Sequence, residues 1–423
     1  MIDQQLGSFA SSWRTAPVEL TDGARPDQMR WLRTKDVITM PSAKLTAVVV
    51  GCGVGRKHAD AYNHSDATDL VGICDLDEAR LQAVADEHDV EARYTDFETM
   101  LQEQQPDLIS IATAQPSHAV LTVLAATRYT PKGILCEKGM ANNMGEARAM
   151  LAACDRNGIK MIIGHEGRYL TQVQQARDLV AEGAIGDVQI SHVWYDQGGM
   201  MNQMCHGCDR ALFIMGDPRP TWVMGNVQRD SDRWERGWPA EERAMGVVGF
   251  ADGTRLVLEG ETPPGGHLEK HRHTLVGTEG MMIARTEGEC TNPGEPPDDP
   301  IGLRIYRMDG RVESFEFPGD TYENARRREI DTFARWVAGD VDGHAQDAHV
   351  CIRTQEILMA IYESARTHSL VELPMKTQTS PLVEMIDSGA LPVRNPGFYD
   401  TRHRMATAPV QPAPSEAPEG TSP

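Results

Sequence analysis

The chain has 423 residues, enough for two domains with sizeable cores. Its 41 basic and 62 acidic side chains leave a formal net charge of −21, which speaks against binding to a nucleic-acid backbone or an anionic surface. No stretch approaches the roughly 20 apolar residues of a membrane span, residues 1–42 lack the basic and then apolar run of a secretory leader, and eight cysteines are too few for a disulfide scaffold, so the expected location is the cytoplasm.

Residues 1–42 carry Pro17, Pro26 and Pro41 with little periodicity and are expected to form an N-terminal arm. From Leu45, short apolar runs alternate with helical stretches. Strands are expected at Leu45–Val50, Leu70–Cys74, Leu108–Ala112, Ile134–Cys136 and Lys160–Ile163, with helices from Arg56 and over Asp77–His88, Ser117–Ala126 and Gly145–Asn157. Such alternation implies βαβ units and a doubly wound parallel sheet, over residues 43–166.

Beyond Gly164 the pattern changes. A helix over Gln172–Glu182 is followed by an alternating strand, Asp187–Tyr195, and a helix, His206–Met215. Runs typical of antiparallel strands follow at Thr221–Val227, Ala244–Phe250, Thr254–Glu261, His271–Gly277, Met281–Thr286, Leu303–Met308 and Val312–Phe317. Asp252-Gly253 and Asp309-Gly310 are turn signals between some of them. Asn292–Pro300 reads as a surface loop, and Tyr322–Ala338 and Ala345–Thr367 as helices. Residues 167–376 are therefore expected to form an α/β domain with an open, mostly antiparallel sheet. Residues 377–423 form a C-terminal extension, disordered from about 405.

Two strand ends carry chemistry. Val48-Val49-Val50-Gly51-Cys52-Gly53-Val54-Gly55 runs from a strand into a glycine-rich turn before a helix. Glycines there let a pyrophosphate approach the backbone at a helix N-terminus, although the spacing is G-x-G-x-G, with Arg56 at the place of a third glycine. Asp75 ends the second strand, where a carboxylate accepts from ribose hydroxyls and repels a 2′-phosphate, favouring NAD over NADP; it can equally cap the next helix. At the end of the fifth strand, Ile134-Leu135-Cys136 gives way to Glu137-Lys138-Gly139. A lysine leaning into a site beyond strand ends, partly desolvated, suits acid–base work; an exposed ion pair is the plainer alternative.

These marks, in this order over residues 45–374, resemble the glucose–fructose oxidoreductase / inositol dehydrogenase (Gfo/Idh/MocA) family. Ala112-Thr113-Ala114-Gln115-Pro116-Ser117-His118 resembles its loop along the nicotinamide ribose, and Cys136-Glu137-Lys138-Gly139 its Glu-Lys-Pro signature, with glycine for proline. Glu182–Val188 and Ala360–Arg366 resemble two further family segments. The resemblance implies a Rossmann domain followed by an α/β domain with an open sheet. It implies cofactor contacts from Gly51, Gly53, Val54, Gly55, Asp75, Thr113, Pro116, His118, Glu137 and Lys138.

The resemblance also implies that Lys138 works beside the nicotinamide and the reacting hydroxyl. The family places a histidine at a helix start in the second domain, often four residues after an aspartate. His206 matches that histidine, Asn202 stands at the aspartate, and Asp209 lies one turn on. Asn202 still hydrogen-bonds a substrate hydroxyl. Arg168, Tyr169 and Tyr195 are further candidates for substrate contact, and Trp222, Trp234 and Trp238 for stacking on a sugar face. Cys205 and Cys208, with His267, His271 and His273, lack the second ligand pair of a zinc site, so no metal is expected.

The expected function is an NAD-dependent oxidoreductase moving a hydride between nicotinamide and a secondary hydroxyl of a sugar, cyclitol or related polyol. Lys138 assists proton transfer with His206 as partner and Asn202 as orienter. The alternative is an NAD-dependent glycoside hydrolase working by transient C3 oxidation and elimination; a third is an NAD-binding regulatory protein. A small-molecule substrate and a homo-oligomer, a dimer or tetramer, are the expected partners, with no nucleic acid and no membrane.

Overall fold

The computed structural model describes residues 44–195, 199–260, 272–285, 301–317 and 320–400. The expected arm at 1–42, loop at 292–300 and tail from 405 lie outside the described residues, as do His267 and His271.

Leu45–Val50 (β1) runs into a helix, Gly55–His64 (α1), and returns in Thr68–Cys74 (β2). Glu78–Glu87 (α2) leads to a two-residue strand, Arg93–Tyr94 (β3), and Phe97–Gln104 (α3) to Leu108–Ile111 (β4). His118–Leu124 (α4), extended by a π-helical turn at Ala125–Tyr129, precedes Gly133–Glu137 (β5); Met144–Arg156 (α5) precedes Lys160–Gly164 (β6). The order is β3-β2-β1-β4-β5-β6, all parallel, with the order reversing between β1 and β4. Strands β4 and β5 are buried throughout, as apolar runs covered on both faces must be. Ligands bind beyond the carboxyl ends of such strands at the reversal point. Strand β3 and helix α3 are absent from the sequence expectation because both are short.

The second region begins with Thr171–Ala181 (α6), Val188–Tyr195 (β7) and Cys205–Ile214 (α7). Then come Pro220–Gln228 (β8), Ser231–Glu235 (β9), Trp238–Pro239 (β10), Arg243–Phe250 (β11), Arg255–Gly260 (β12), Arg272–Gly277 (β13), Gly280–Arg285 (β14), Ile301–Arg307 (β15) and Val312–Glu316 (β16). Tyr322–Ala338 (α8), Ala348–Thr367 (α9), Val371–Glu372 (β17), Pro381–Asp387 (α10) and Asn395–Asp400 (β18) complete the described elements. Nine strands form one sheet in the order β16-β15-β14-β13-β7-β12-β11-β8-β17, antiparallel except for β7 with β12. Gly225 and Gly246 let α9 lie close on one face: a Cβ on either would meet Ile361 at 2.8 and 2.5 Å. Met224 and Met245 share the other face and are about half exposed.

A third, three-stranded sheet was not expected. Strands β9 and β10 form a hairpin through Arg236-Gly237, both with positive φ, and β18 pairs in parallel with β9. Two central residues of positive φ give the tight turn that suits the twist of paired strands.

Helix α8 follows the second sheet in the chain but packs on the first. Its Ile330, Phe333 and Ala334 join Ala61 and Tyr62 of α1 and Leu135 of β5 in one buried cluster. Gly133 admits it: a Cβ there would meet Phe333 and Val337 at 2.7 Å. From this helix Arg326, itself buried, reaches Glu137 (3.1 Å), Glu166 (2.9 Å) and Glu329 (3.5 Å). Removing one member of a buried ionic group leaves the others uncompensated. Arg326→Ala is expected to cost about 3–5 kcal/mol in urea unfolding; a loss below about 1 kcal/mol would show that solvent reaches this group.

Candidate active site

The glycine turn follows β1. Gly51 sits at φ +90°, and a Cβ there would lie 2.6 Å from the Ala112 carbonyl oxygen, so both conformation and space demand glycine. Gly53 is exposed, with open space where a Cβ would stand. At Gly55 a Cβ would lie 2.7 Å from Val49 Cγ1. Gly55 thus supplies the close helix–strand packing asked of a third glycine, while Arg56 turns outward to Glu87. The first amides of α1 have no side-chain cap. An open glycine cradle at an uncapped helix N-terminus fits a pyrophosphate.

Asp75 ends β2 as expected, yet it is buried and its carboxylate is engaged four times. Oδ2 accepts from the Cys52 amide (2.6 Å) and Arg80 Nε (3.1 Å); Oδ1 accepts from the Asp77 amide (2.8 Å) and Arg80 Nη2 (3.1 Å). A carboxylate has about four acceptor positions, so a ribose hydroxyl must displace one of these donors, and Arg80 is the mobile one. The helix-capping alternative falls to Asp77, which accepts from the Arg80 amide.

Beyond β4 and β5 the two remaining loops meet. His118 does not face the site as expected: it is buried, with Nδ1 2.9 Å from the Gly139 carbonyl and Nε2 3.1 Å from the Thr113 carbonyl. It ties the two loops together at the turn after Lys138. Gly139 is itself crowded, since a Cβ would lie 3.0 Å from Gln115 Oε1 and Met201 Cε. Thr113 bonds Ser117 at 2.7 Å, and Pro116 is exposed in the same loop.

Glu137 is buried. Its Oε1 lies 2.9 Å from His58 Nε2 and 3.1 Å from Arg326 Nη1, and its Oε2 accepts from the Lys138 amide. Burial alone would raise its pKa; Arg326 and His58 overcome that and hold the carboxyl well below the usual carboxylate range. Burial, with Arg326, keeps His58 below its ordinary value. Burial pushes the neighbouring Glu329 up to about 8. Glu137 is therefore occupied as the anchor of β5.

Lys138 is mostly buried. Nζ donates to the Asn202 carbonyl (3.0 Å) and to Asn202 Oδ1 (3.2 Å). Burial lowers its pKa from the ordinary 10.5; a nearby Cys205 thiolate would raise it, and Arg236 lowers it further. Asn202 lies in a π-helical turn, Met200–Met204, that precedes α7 and begins the helix earlier than the expected His206. Such turns aim a side chain out of the regular helical spacing.

Lys138 and Asn202 open into a cleft bounded by Val54, Thr113, Gln115 and Gly139 on one side and the β9–β10 hairpin on the other. The hairpin brings Glu235, Arg236, Trp238 and Glu241 to the wall, with Tyr362 from α9. Of the three tryptophans, Trp238 is the one that reaches it; sequence reasoning missed the hairpin's other residues, whose only signal is the short gap between Trp234 and Trp238.

Four expected substrate residues stand elsewhere. Arg168 is fully buried, clasping Asp209 through Nε and Nη2 at 2.7 Å and Asp217 at 3.0 Å. Asp209, the acid one turn beyond His206, is spent in that clasp. Tyr169 is buried with its hydroxyl 2.9 Å from His344, and Tyr195 is buried, accepting from Arg210. His206 stands outside the cleft lining, its ring packed edge-on against His165 at 6.0 Å. These corrections share one cause: long-range partners, 41 residues apart for Arg168 and Asp209, give no sequence signal. Cys205 and Cys208 are free and buried, and burial pushes the Cys205 thiol up to about 11.

The fold and cleft define a dinucleotide-dependent oxidoreductase. The family described as "Oxidoreductase family, NAD-binding Rossmann fold" matches residues 45–165. The D-apiose dehydrogenase of Paraburkholderia graminis is 34% identical over 376 residues, spanning 82% of this chain and 95% of its own length. The D-xylose 1-dehydrogenase (NADP(+)) 2 of Haloferax volcanii is 26% identical over 76% of this chain and 97% of its own. The structure of an inositol dehydrogenase homolog from Azotobacter vinelandii, complexed with NADH and myo-inositol, matches with a TM-score of 0.67 at 15% identity, covering 79% of this chain and 98% of its own. This chain belongs to the Gfo/Idh/MocA family of oxidoreductases.

Arg80 beside Asp75 supplies the cation that a 2′-phosphate would seek. Arg80→Ala is expected to raise the kcat/KM ratio of NAD+ over NADP+ about tenfold in steady-state assays. An unchanged ratio would remove Arg80 from cofactor choice.

Proposed function

We propose that the protein is an NAD-dependent dehydrogenase acting on a secondary hydroxyl of a sugar, cyclitol or related polyol. The observation that carries this is Lys138, held by Asn202 at the floor of a cleft that adjoins the glycine turn. Val54, Thr113 and Gly139 line the cleft between the glycine turn and this floor and would hold the nicotinamide end of a dinucleotide. Bound NAD+ supplies the hydride acceptor.

The chain's residues handle the proton. A substrate hydroxyl set against Lys138 Nζ donates to the neutral amine, which carries the proton away as the carbinol carbon is oxidised. Asn202 keeps Nζ in place through two acceptors. Glu137, tied to His58 and Arg326, keeps the end of β5 from shifting. Trp238 gives the cleft an apolar wall for the C–H face of a sugar ring. Burial of the Lys138 side chain favours the neutral amine.

We infer further that the protein is a cytoplasmic homo-oligomer. Seven free buried cysteines among the described residues support a reducing compartment, and the exposed Met224–Met245 face of the nine-stranded sheet supports a subunit contact. No helix among the described residues is long and apolar enough to cross a membrane.

A panel of sugars and cyclitols with NAD+ is expected to yield net NADH. Aglycone release from aryl glycosides without net NADH would instead indicate glycoside cleavage. The kcat/KM for oxidation is expected to rise with pH along a limb below 10.5, because Lys138 must lose its proton before it accepts one. Lys138→Ala is expected to lose about 10²–10⁴-fold in kcat and that limb with it. Full activity in Lys138→Ala would refute the assignment.

A further inference from the structure

Where the family pattern sets an aspartate, this chain has the uncharged amide Asn202. The structure places another carboxylate one bond further on. Glu235, at the end of β9, is buried; its Oε2 accepts from Asn202 Nδ2 (2.9 Å) and from the Gly199 amide (3.1 Å), and its Oε1 accepts from Arg233 Nη2 (2.6 Å). The Asn202 amide is thereby oriented without ambiguity. A carboxylate only accepts, so the NH2 group must face Glu235; an ammonium only donates, so the oxygen must face Lys138.

We propose that Glu235 is a positioning residue for the dehydrogenase reaction: its carboxylate fixes the Asn202 amide whose oxygen holds Lys138 Nζ. The hydrogen-bonded chain runs Lys138 Nζ to Asn202 Oδ1, then Asn202 Nδ2 to Glu235 Oε2. The hairpin that carries Glu235 also walls the cleft. The second acid of the hairpin, Glu241, does not share this part. It is buried and taken up by the Met200 amide and the Tyr362 hydroxyl. Burial raises its pKa, and Glu235 adds to the rise. Two buried carboxylates near each other repel, and Arg233 balances the charge of Glu235.

The proposal rests on the role given to Lys138, and its test separates the two. The chemistry predicts sign epistasis between two isosteric exchanges. Glu235→Gln removes the charge. Asn202→Asp alone sets two carboxylates against each other. The double variant restores one carboxylate and one amide in the same contact, with the order reversed. Each single variant is expected to lose about tenfold or more in kcat/KM, with NADH affinity changed less than about twofold, and the double to recover to within about threefold of the parent.

In Glu235→Gln the acidic limb of the pH profile is expected to move to lower pH, because an ammonium whose Asn202 Oδ1 acceptor is no longer held in place gives up its proton more easily. A merely structural role would leave that limb in place. An unmoved limb with parental activity in Glu235→Gln would overturn the proposal. So would a folded double variant no better than the worse single one. If Glu235→Gln alone does not fold, the double variant decides: activity near the parent supports the proposal and inactivity overturns it. Should Lys138→Ala keep full activity, the functional reading fails first; if it is inactive while the double variant shows no recovery, this proposal alone fails.

Discussion

A single buried carboxylate constrains the molecule more than any other group. Glu137 closes the fifth strand of the parallel sheet, out of water, and a charge there is tolerated only with partners of the opposite sign or strong donors. It finds them on two helices far apart in the chain: His58 on α1 and Arg326 on α8. Because α8 follows the nine-stranded sheet, this contact obliges the chain to return across the Rossmann sheet before it ends. Tyr62 and Ser110 extend the group by holding the far side of His58. The anchor and Lys138 are adjacent residues, so whatever fixes one fixes the origin of the other.

Around that anchor the site divides its work by polarity. Groups that hold the backbone are saturated and buried: His118 between two carbonyls, Asp75 among four donors, Arg168 between two aspartates. Groups left to meet a ligand are the exposed glycine cradle, the lysine amine and the hairpin wall. The same residue types therefore serve opposite ends, and burial with full hydrogen bonding is what tells them apart. Membership in the Gfo/Idh/MocA family agrees with this division, because residues 45–165, which carry the glycine turn and Lys138, match the family description.

Local pattern made much of the fold legible. Apolar runs bounded by glycine and polar residues marked β1, β2, β4, β5 and β6, and alternation marked most of the second sheet. The motifs at Gly51, Asp75 and Lys138 fall at strand ends where the pattern places them. What escaped is non-local or irregular. The hairpin reads Ser-Asp-Arg-Trp-Glu with an Arg-Gly turn, which lacks the apolar alternation and the Asn-Gly signal of an ordinary hairpin. The π-helical turn at Met200 shifts the helix start away from regular spacing. Arg168 and Tyr195 resembled ligand-facing residues because nothing in a one-dimensional chain announces Asp209 or Arg210 as their partners.

The central claim is that Lys138 is held at the floor of the cleft, mostly buried, as an amine that gives up its proton more readily than a lysine in water. The most direct measurement is the pH dependence of Lys138 acylation in the full chain, followed at that residue by peptide mass spectrometry. The account predicts a midpoint below the ordinary 10.5 and a rate above that of exposed lysines at neutral pH, with protection by NADH. A midpoint at or above 10.5, with no protection by NADH, would contradict it.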